Sequence, residues 1–268
     1  MNFSSKEDPL QSKTDFSAEE EPLPAKMDFS AVKYTLPAKT DFSAEKDTLQ
    51  AKMEEPVPAM IEPSRIQILG HSYVQQLKGY IEDSDNRTLS LGLRDTIVEY
   101  SCFPGATVPD LVEKLQVVKD FDPDIVILIV GTNDLLNPQN SPLSVANAIK
   151  DLADKLFFVY HVPDILVCEI FHRIAPSQMT DNPVDLAWFN PRVIETNKAL
   201  IEKLATCQPH RARLWYFKGF WGPEGKVRCF SEDGVSLSLL GQKKLYFQLR
   251  IGIVATRNST CKALEGIY

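Results

Sequence analysis

Arg65-Ile-Gln-Ile-Leu-Gly-His-Ser-Tyr-Val74 decides how this chain is read. Ile66–Leu69 is a short apolar run suited to a buried strand. Gly70 breaks the run, Ser72 offers a hydroxyl, and a helix-like run follows over Tyr73–Tyr80. Strand, glycine, exposed serine and helix is the order in which α/β hydrolytic enzymes place a nucleophile. The glycine permits the tight turn, and the helix start aims backbone N–H groups at a developing oxyanion.

Strand-like and helix-like runs alternate outward from this stretch. Thr96–Cys102 reads as a second strand, and Pro104–Thr107 as a turn. Val108–Val118 has apolar residues at helical spacing. Ile125–Val130 is wholly aliphatic, as a central parallel strand buried on both faces requires. Val145–Val159 reads as an amphipathic helix with Asp151 and Asp154 on its polar side, and Asp164–Ile170 as a fourth strand. A polar loop over 172–187 leads to a helix over Pro191–Ala205, with proline near its first turn. Arg213–Phe217 is a fifth strand and Leu239–Ile251 a last helix. The alternation implies a parallel sheet covered on both faces. In such sheets ligands bind beyond the carboxyl ends of the strands. Chain order alone gathers Ser72, Gly105, Gly131 to Asp134, His172 and Arg173 there.

Residues 1–63 differ in kind. Lys13-Thr-Asp-Phe-Ser-Ala recurs from Lys26 and again from Lys39, a period of 13 residues, then decays. That is shorter than the repeats that build solenoids. Each copy has few apolar anchors among acids and prolines, so the segment is expected to be disordered. It reads as a tolerated linker expansion or as an array of Asp-Phe-Ser docking motifs for a protein partner. It holds seven Lys and no Arg against 13 Asp/Glu, a net of −6. Of the chain's −7 this leaves −1 for the body. No basic block points to nucleic acid.

The five cysteines, Cys102, Cys168, Cys207, Cys229 and Cys261, form no CxxC pair. An odd number without such spacing favours neither a disulfide framework nor a zinc site. Cys102 and Cys168 read as buried thiols. No secretory signal is visible, and the aliphatic run at Ile125 is too short to span a bilayer, so a cytoplasmic protein without a membrane partner is expected. Sequons at Asn86 and Asn258 carry little weight in that setting.

Acyl transfer needs a nucleophile, oxyanion donors and a base. Ser72 can attack. The backbone N–H groups of Ser72 and Gly105 and the side-chain amide of Asn133 can form the oxyanion hole. Asp134 and Arg173 are further candidates for substrate contact, Arg173 toward a carboxylate or other anion. Read singly, each has an ordinary explanation: Gly70 and Gly105 are turn glycines, Asn133 and Asp134 cap the segment that follows, and Arg173 makes a loop salt bridge. Their common position at successive strand ends is what argues against those explanations.

Gly70-His-Ser72, Pro104-Gly105, Gly131-Thr-Asn-Asp134 and Asp233-Gly-Val-Ser236 resemble the four signature blocks of the SGNH (GDSL-type) hydrolases. The resemblance covers roughly residues 65–252. It implies a three-layer α/β/α sandwich with a flavodoxin-like parallel sheet, and hydrolysis of acyl esters or related bonds with no metal or other cofactor. It gives Ser72, Gly105 and Asn133 the family's Ser, Gly and Asn roles, and Asp233 the triad Asp. Two positions depart from the pattern. His71 stands where the family usually has Asp. Ser236 stands where the family has its catalytic His, three residues after the Asp.

A serine has no group that titrates near neutral pH, so Ser236 cannot act as a comparable base. Losing the triad His costs a serine protease about 10⁶-fold in turnover. Of the four histidines, His161 and His210 fall at the opposite end of the sheet. His71 adjoins Ser72, but adjacent side chains diverge. His172 lies at the correct end and is the alternative base; its plainer reading is a solvated or structural loop residue. Three functions follow: an SGNH-type domain with impaired or absent turnover that binds a small ester-type or anionic ligand or serves as a scaffold; an active serine esterase with a non-standard base; or a docking protein acting through its repeats. Trp188, Phe189, Phe220 and Trp221 read either as pocket lining or as packing.

Overall fold

β1 (Ser64–Gly70) runs into α1 (Ser72–Glu82) with only His71 between them. The computed structural model describes residues 62–83, 87–175, 184–205, 212–222 and 228–265, with side chains to residue 259. The 13-residue repeats, Asn86, Cys207, His210, the side chain of Cys261 and part of the polar loop lie outside them.

After α1 come β2 (Thr96–Cys102), α2 (Val108–Glu113), α3 (Gln116–Phe121) and β3 (Ile125–Ile129). They are followed by α4 (Thr132–Leu136), α5 (Pro142–Phe158), β4 (Asp164–Cys168), α6 (Leu186–Ala205), β5 (Ala212–Trp215) and α7 (Leu239–Glu265). The five strands form one sheet in the order β2-β1-β3-β4-β5, every pair parallel. This is the flavodoxin-like order the resemblance implies.

Strand periodicity sorts the core into two layers. Ile125, Ile127 and Ile129 pack with Val74, Leu77 and Ile81 of α1 and with Leu245, Leu249 and Ile253 of α7. Val126, Leu128 and Val130 pack against α2, α3, α5 and α6 through Leu111, Val118, Ile149 and Val193. Every residue of β3 is buried. Each fully buried Ile or Leu there contributes about 2 kcal/mol from its removed apolar surface. The result is a three-layer α/β/α sandwich.

Several sequence expectations need correction. Val108–Val118 is two six-residue helices, α2 and α3, and not one. Val117 N–H bonds Lys114 O and Val118 N–H bonds Leu115 O, three residues back, so the chain tightens between them while Leu111, Leu115 and Val118 stay buried. The helix expected from Pro191 starts at Leu186, and Pro191 sits inside it. Asp185 caps the earlier start, its Oδ1 accepting from Ala187 N–H at 2.9 Å and Trp188 N–H at 3.3 Å. Buried Phe189 then anchors the added turn, which offsets the hydrogen bond that proline cannot donate. The last helix runs on past Ile251 to Glu265. Cys168 and Cys229 are buried free thiols, but Cys102 is half-buried because β2 is an edge strand. Phe189 and Phe220 are core residues, 0% exposed. Among the described residues, no helix is long and apolar enough to cross a membrane.

Gly70 ends β1 level with Ile129 of β3 and Cys102 of β2. A Cβ at Gly70 would stand 2.2 Å from the Ile129 carbonyl oxygen. The glycine is needed for this close approach between strands. Gly70→Ala is therefore expected to cost about 3 kcal/mol or more, or to abolish folding, because the obstacle is backbone and cannot rotate away. Urea denaturation midpoints of the two proteins check this.

Candidate active site

Ser72 opens α1 at the carboxyl end of β1, with its side chain half-buried. His71 N–H donates to Ile129 O at 3.2 Å, and Phe103 N–H donates to Gly70 O at 2.8 Å. These bonds carry the sheet ladder one step beyond the strands and fix the serine turn to both neighbours. The first N–H groups of α1 have no partner within the helix, and His71 supplies no side-chain cap. An anion placed there meets the positive end of an 11-residue helix.

Gly105 lies in the turn after β2, exposed, with φ +78°. That left-handed backbone favours glycine, and a Cβ there would meet nothing within 4 Å. The opposite wall is α4. Asn133 Nδ2 donates to Ala106 O at 2.9 Å, which leaves the second amide hydrogen for a ligand. Asp134 accepts from Val108 N–H with both oxygens, at 3.0 and 3.2 Å. Burial pushes its carboxyl up, partly countered by that N–H. Asp134 is thus a positioning residue, which caps α2 from 26 residues downstream instead of capping its own segment. Together Asn133 and Asp134 fasten the Gly105 turn to the end of β3.

Asp233 sits in an exposed turn, Oδ1 accepting from Val235 N–H at 2.9 Å and Ser236 N–H at 2.8 Å. Burial pushes its carboxyl up, but these bonds, the Ser236 hydroxyl and the charge of Arg173 outweigh it and hold the carboxyl below its usual range. Ser236 Oγ accepts from Gln76 Nε2 at 3.4 Å. Gln76 Oε1 in turn accepts from Leu237 N–H at 3.3 Å and Gln242 Nε2 at 3.1 Å. An open groove of about 530 Å³ lies along this network, lined in part by Gln76, Tyr80, Ser236 and Gln242.

His172 is buried, with its ring centre 4.8 Å from that of Trp221 and 4.9 Å from that of Phe230. Its solvated reading does not hold, because the sheet end it occupies is roofed by aromatic rings. His161 is exposed, with φ 57°, in the turn before β4. His71 is 2% exposed and packs beside Tyr73 at 5.1 Å. Burial, and then the charge of Arg173, lower its pKa to about 4.

Arg173 is also buried. Its charge acts on His71, Tyr73 and Asp233, which brings it to the same end of the sheet as Ser72. Sequence reasoning missed Tyr73, whose hydroxyl donates to Val235 O at 2.7 Å and ties α1 to the Asp233 turn across 162 residues. It also missed Gln76 and Gln242. Their helical positions were legible, but nothing in the sequence marks them as meeting.

No protein-family model matches the chain, and no curated protein matches it in sequence. Solved structures do match its fold. The lipase/acylhydrolase from Enterococcus faecalis superposes with a TM-score of 0.55 at 17% identity, covering 71% of this chain and 95% of that one. Est24, a carbohydrate acetylesterase from Sinorhizobium meliloti, gives 0.52 at 15% identity, over 72% and 99% of the two chains. A family 3 carbohydrate esterase from Clostridium thermocellum gives 0.50 at 18% identity, over 73% and 98%. The chain has the fold of the SGNH (GDSL-type) hydrolases.

The environment of His71 sets a pH dependence. Its folded pKa, about 4, lies below the unfolded value near 6.5, so the folded state disfavours the proton. This contribution to stability is fully present above about pH 6.5 and is lost progressively as the pH falls toward 4. His71→Asn is expected to flatten the fall in stability across that window, as read from urea midpoints at a series of pH values.

Proposed function

We propose that the domain is an SGNH-type hydrolase fold retained with impaired or absent turnover, whose crevice binds a small ester-type or anionic ligand. One observation supports this reading: Ser236, which stands where the resemblance puts the catalytic His, has its hydroxyl engaged by Gln76. Asp233 has no imidazole to orient, and its Oδ1 is occupied by the N–H groups of its own turn. The neutral, buried His71 and the ring-enclosed His172 supply no evident replacement base. Ser72, the start of α1, Gly105 and Asn133 retain the makings of an oxyanion site, and such a site binds without turning over.

The retained nucleophile and donors favour a second reading, an active serine esterase with a non-standard base such as His172. Wild type, Ser72→Ala and Ser236→His compared on a short-chain aryl ester separate the two. The first reading expects no Ser72-dependent hydrolysis by wild type and a gain of at least about 10²-fold in Ser236→His, since a positioned base contributes on that scale. Hydrolysis by wild type that disappears in Ser72→Ala sinks it. A docking role for the Asp-Phe-Ser repeats is a separate proposal, and deletion of residues 1–63 without loss of any partner in a pull-down removes it.

A further inference from the structure

Arg173 has no assigned part in hydrolysis by Ser72, yet it is held firmly at the site. Asn190 grips its backbone from both sides: Oδ1 accepts from the N–H and Nδ2 donates to the C=O, each at 2.9 Å. The next residue, Ile174, donates its N–H to Gly234 O at 3.0 Å. Position 173 is thereby fixed beside the Asp233 turn. The guanidinium carbon lies 4.7 Å from the centre of the Phe189 ring, which braces it.

Arg173 is 8% exposed, and its Nε is buried with no hydrogen-bond partner among the described residues. Among those residues it forms no ion pair either. Two nearby polar atoms are engaged elsewhere, although the Asp233 carboxylate still acts on Arg173 through its charge. Asp233 Oδ1 serves its own turn, and the Tyr73 hydroxyl donates to Val235 O. A buried guanidinium with an unused donor carries a desolvation cost that an incoming acceptor relieves. The start of α1 adds a positive dipole end with no side-chain cap.

We propose that Arg173 makes the crevice beside Ser72 a receptor for an oxyanion-bearing ligand, an organic carboxylate or a phosphate, gripped by the guanidinium fork against the start of α1. This rests on the ligand-binding reading above and specifies the chemistry of the ligand. A planar fork braced on a ring matches the paired oxygens of either group, as a flexible ammonium would not.

The test titrates inorganic phosphate, and separately succinate, into the full-length chain at constant ionic strength, followed by calorimetry and by the thermal midpoint. Wild type is expected to bind one or both saturably, and the two arms tell carboxylate from phosphate recognition. Arg173→Gln should weaken binding about tenfold or more, and Arg173→Lys by a smaller factor, since it keeps the charge and loses the fork. Ser72→Phe, which fills the crevice, should abolish binding. Failure of wild type to bind either probe overturns the proposal, as does unchanged binding in Arg173→Gln or in Ser72→Phe. If Arg173→Gln does not fold, Arg173→Lys and Ser72→Phe decide the matter. No arm depends on turnover, so ester hydrolysis by wild type would remove the binder reading while leaving the anion result intact.

Discussion

The closeness of β1 and β3 at Gly70 is the constraint on which the site depends. The Ile129 carbonyl comes near enough to Gly70 that a Cβ would stand 2.2 Å from it. The same carbonyl accepts from His71 N–H. Because that oxygen is held by the sheet, the chain must turn directly after it, and Ser72 opens a helix at the crevice. On the other side Phe103 N–H reaches Gly70 O, so the turn that bears Gly105 starts from the same point. The Ser72 and Gly105 turns are thus set by hydrogen bonds that continue the ladder past the strand ends.

The segment that bears Asn133 is held by side chains. Asn133 bonds Ala106 O and Asp134 bonds Val108 N–H, which pins the short α4 to the Gly105 turn. A buried carboxylate without partners would be costly, and here it is kept by a backbone donor at a helix start. The Gly-Thr-Asn-Asp motif therefore fastens the Gly105 turn twice, through the Asn133 amide and through the Asp134 carboxylate.

The Asp233 turn is joined to this frame by different means. Tyr73 reaches Val235, Ile174 reaches Gly234, and Gln76 and Gln242 surround Ser236. The polar groups around Ser236 are amides, which neither donate nor accept a proton near neutral pH. Nearby, Arg173 places a permanent cation where His71 and Asp233 both feel it. That cation and the Asp233 carboxylate are two charges set at this end of the sheet.

Much of this was legible in the sequence. The all-aliphatic Ile125–Ile129, the alternation of strands and helices, and the glycine before Ser72 pointed to a parallel sheet and its ligand end, because buried parallel strands and strand-end crevices follow from local pattern. The motifs marked Ser72, Gly105, Asn133 and Ser236 as candidates. Other features were decided only in three dimensions. The break between α2 and α3 and the early start of α6 at Asp185 depend on capping and on which side chains find the core. The burial of His71, His172 and Arg173 depends on what packs above the strand ends. The Tyr73–Val235 and Gln76–Ser236 contacts join residues some 160 positions apart, and no local pattern encodes such a meeting. The sequence by itself determined the parallel sheet and the chain order of the candidate groups; the tertiary structure decided how buried and how engaged each one is, because burial and partnership come from distant segments packed together.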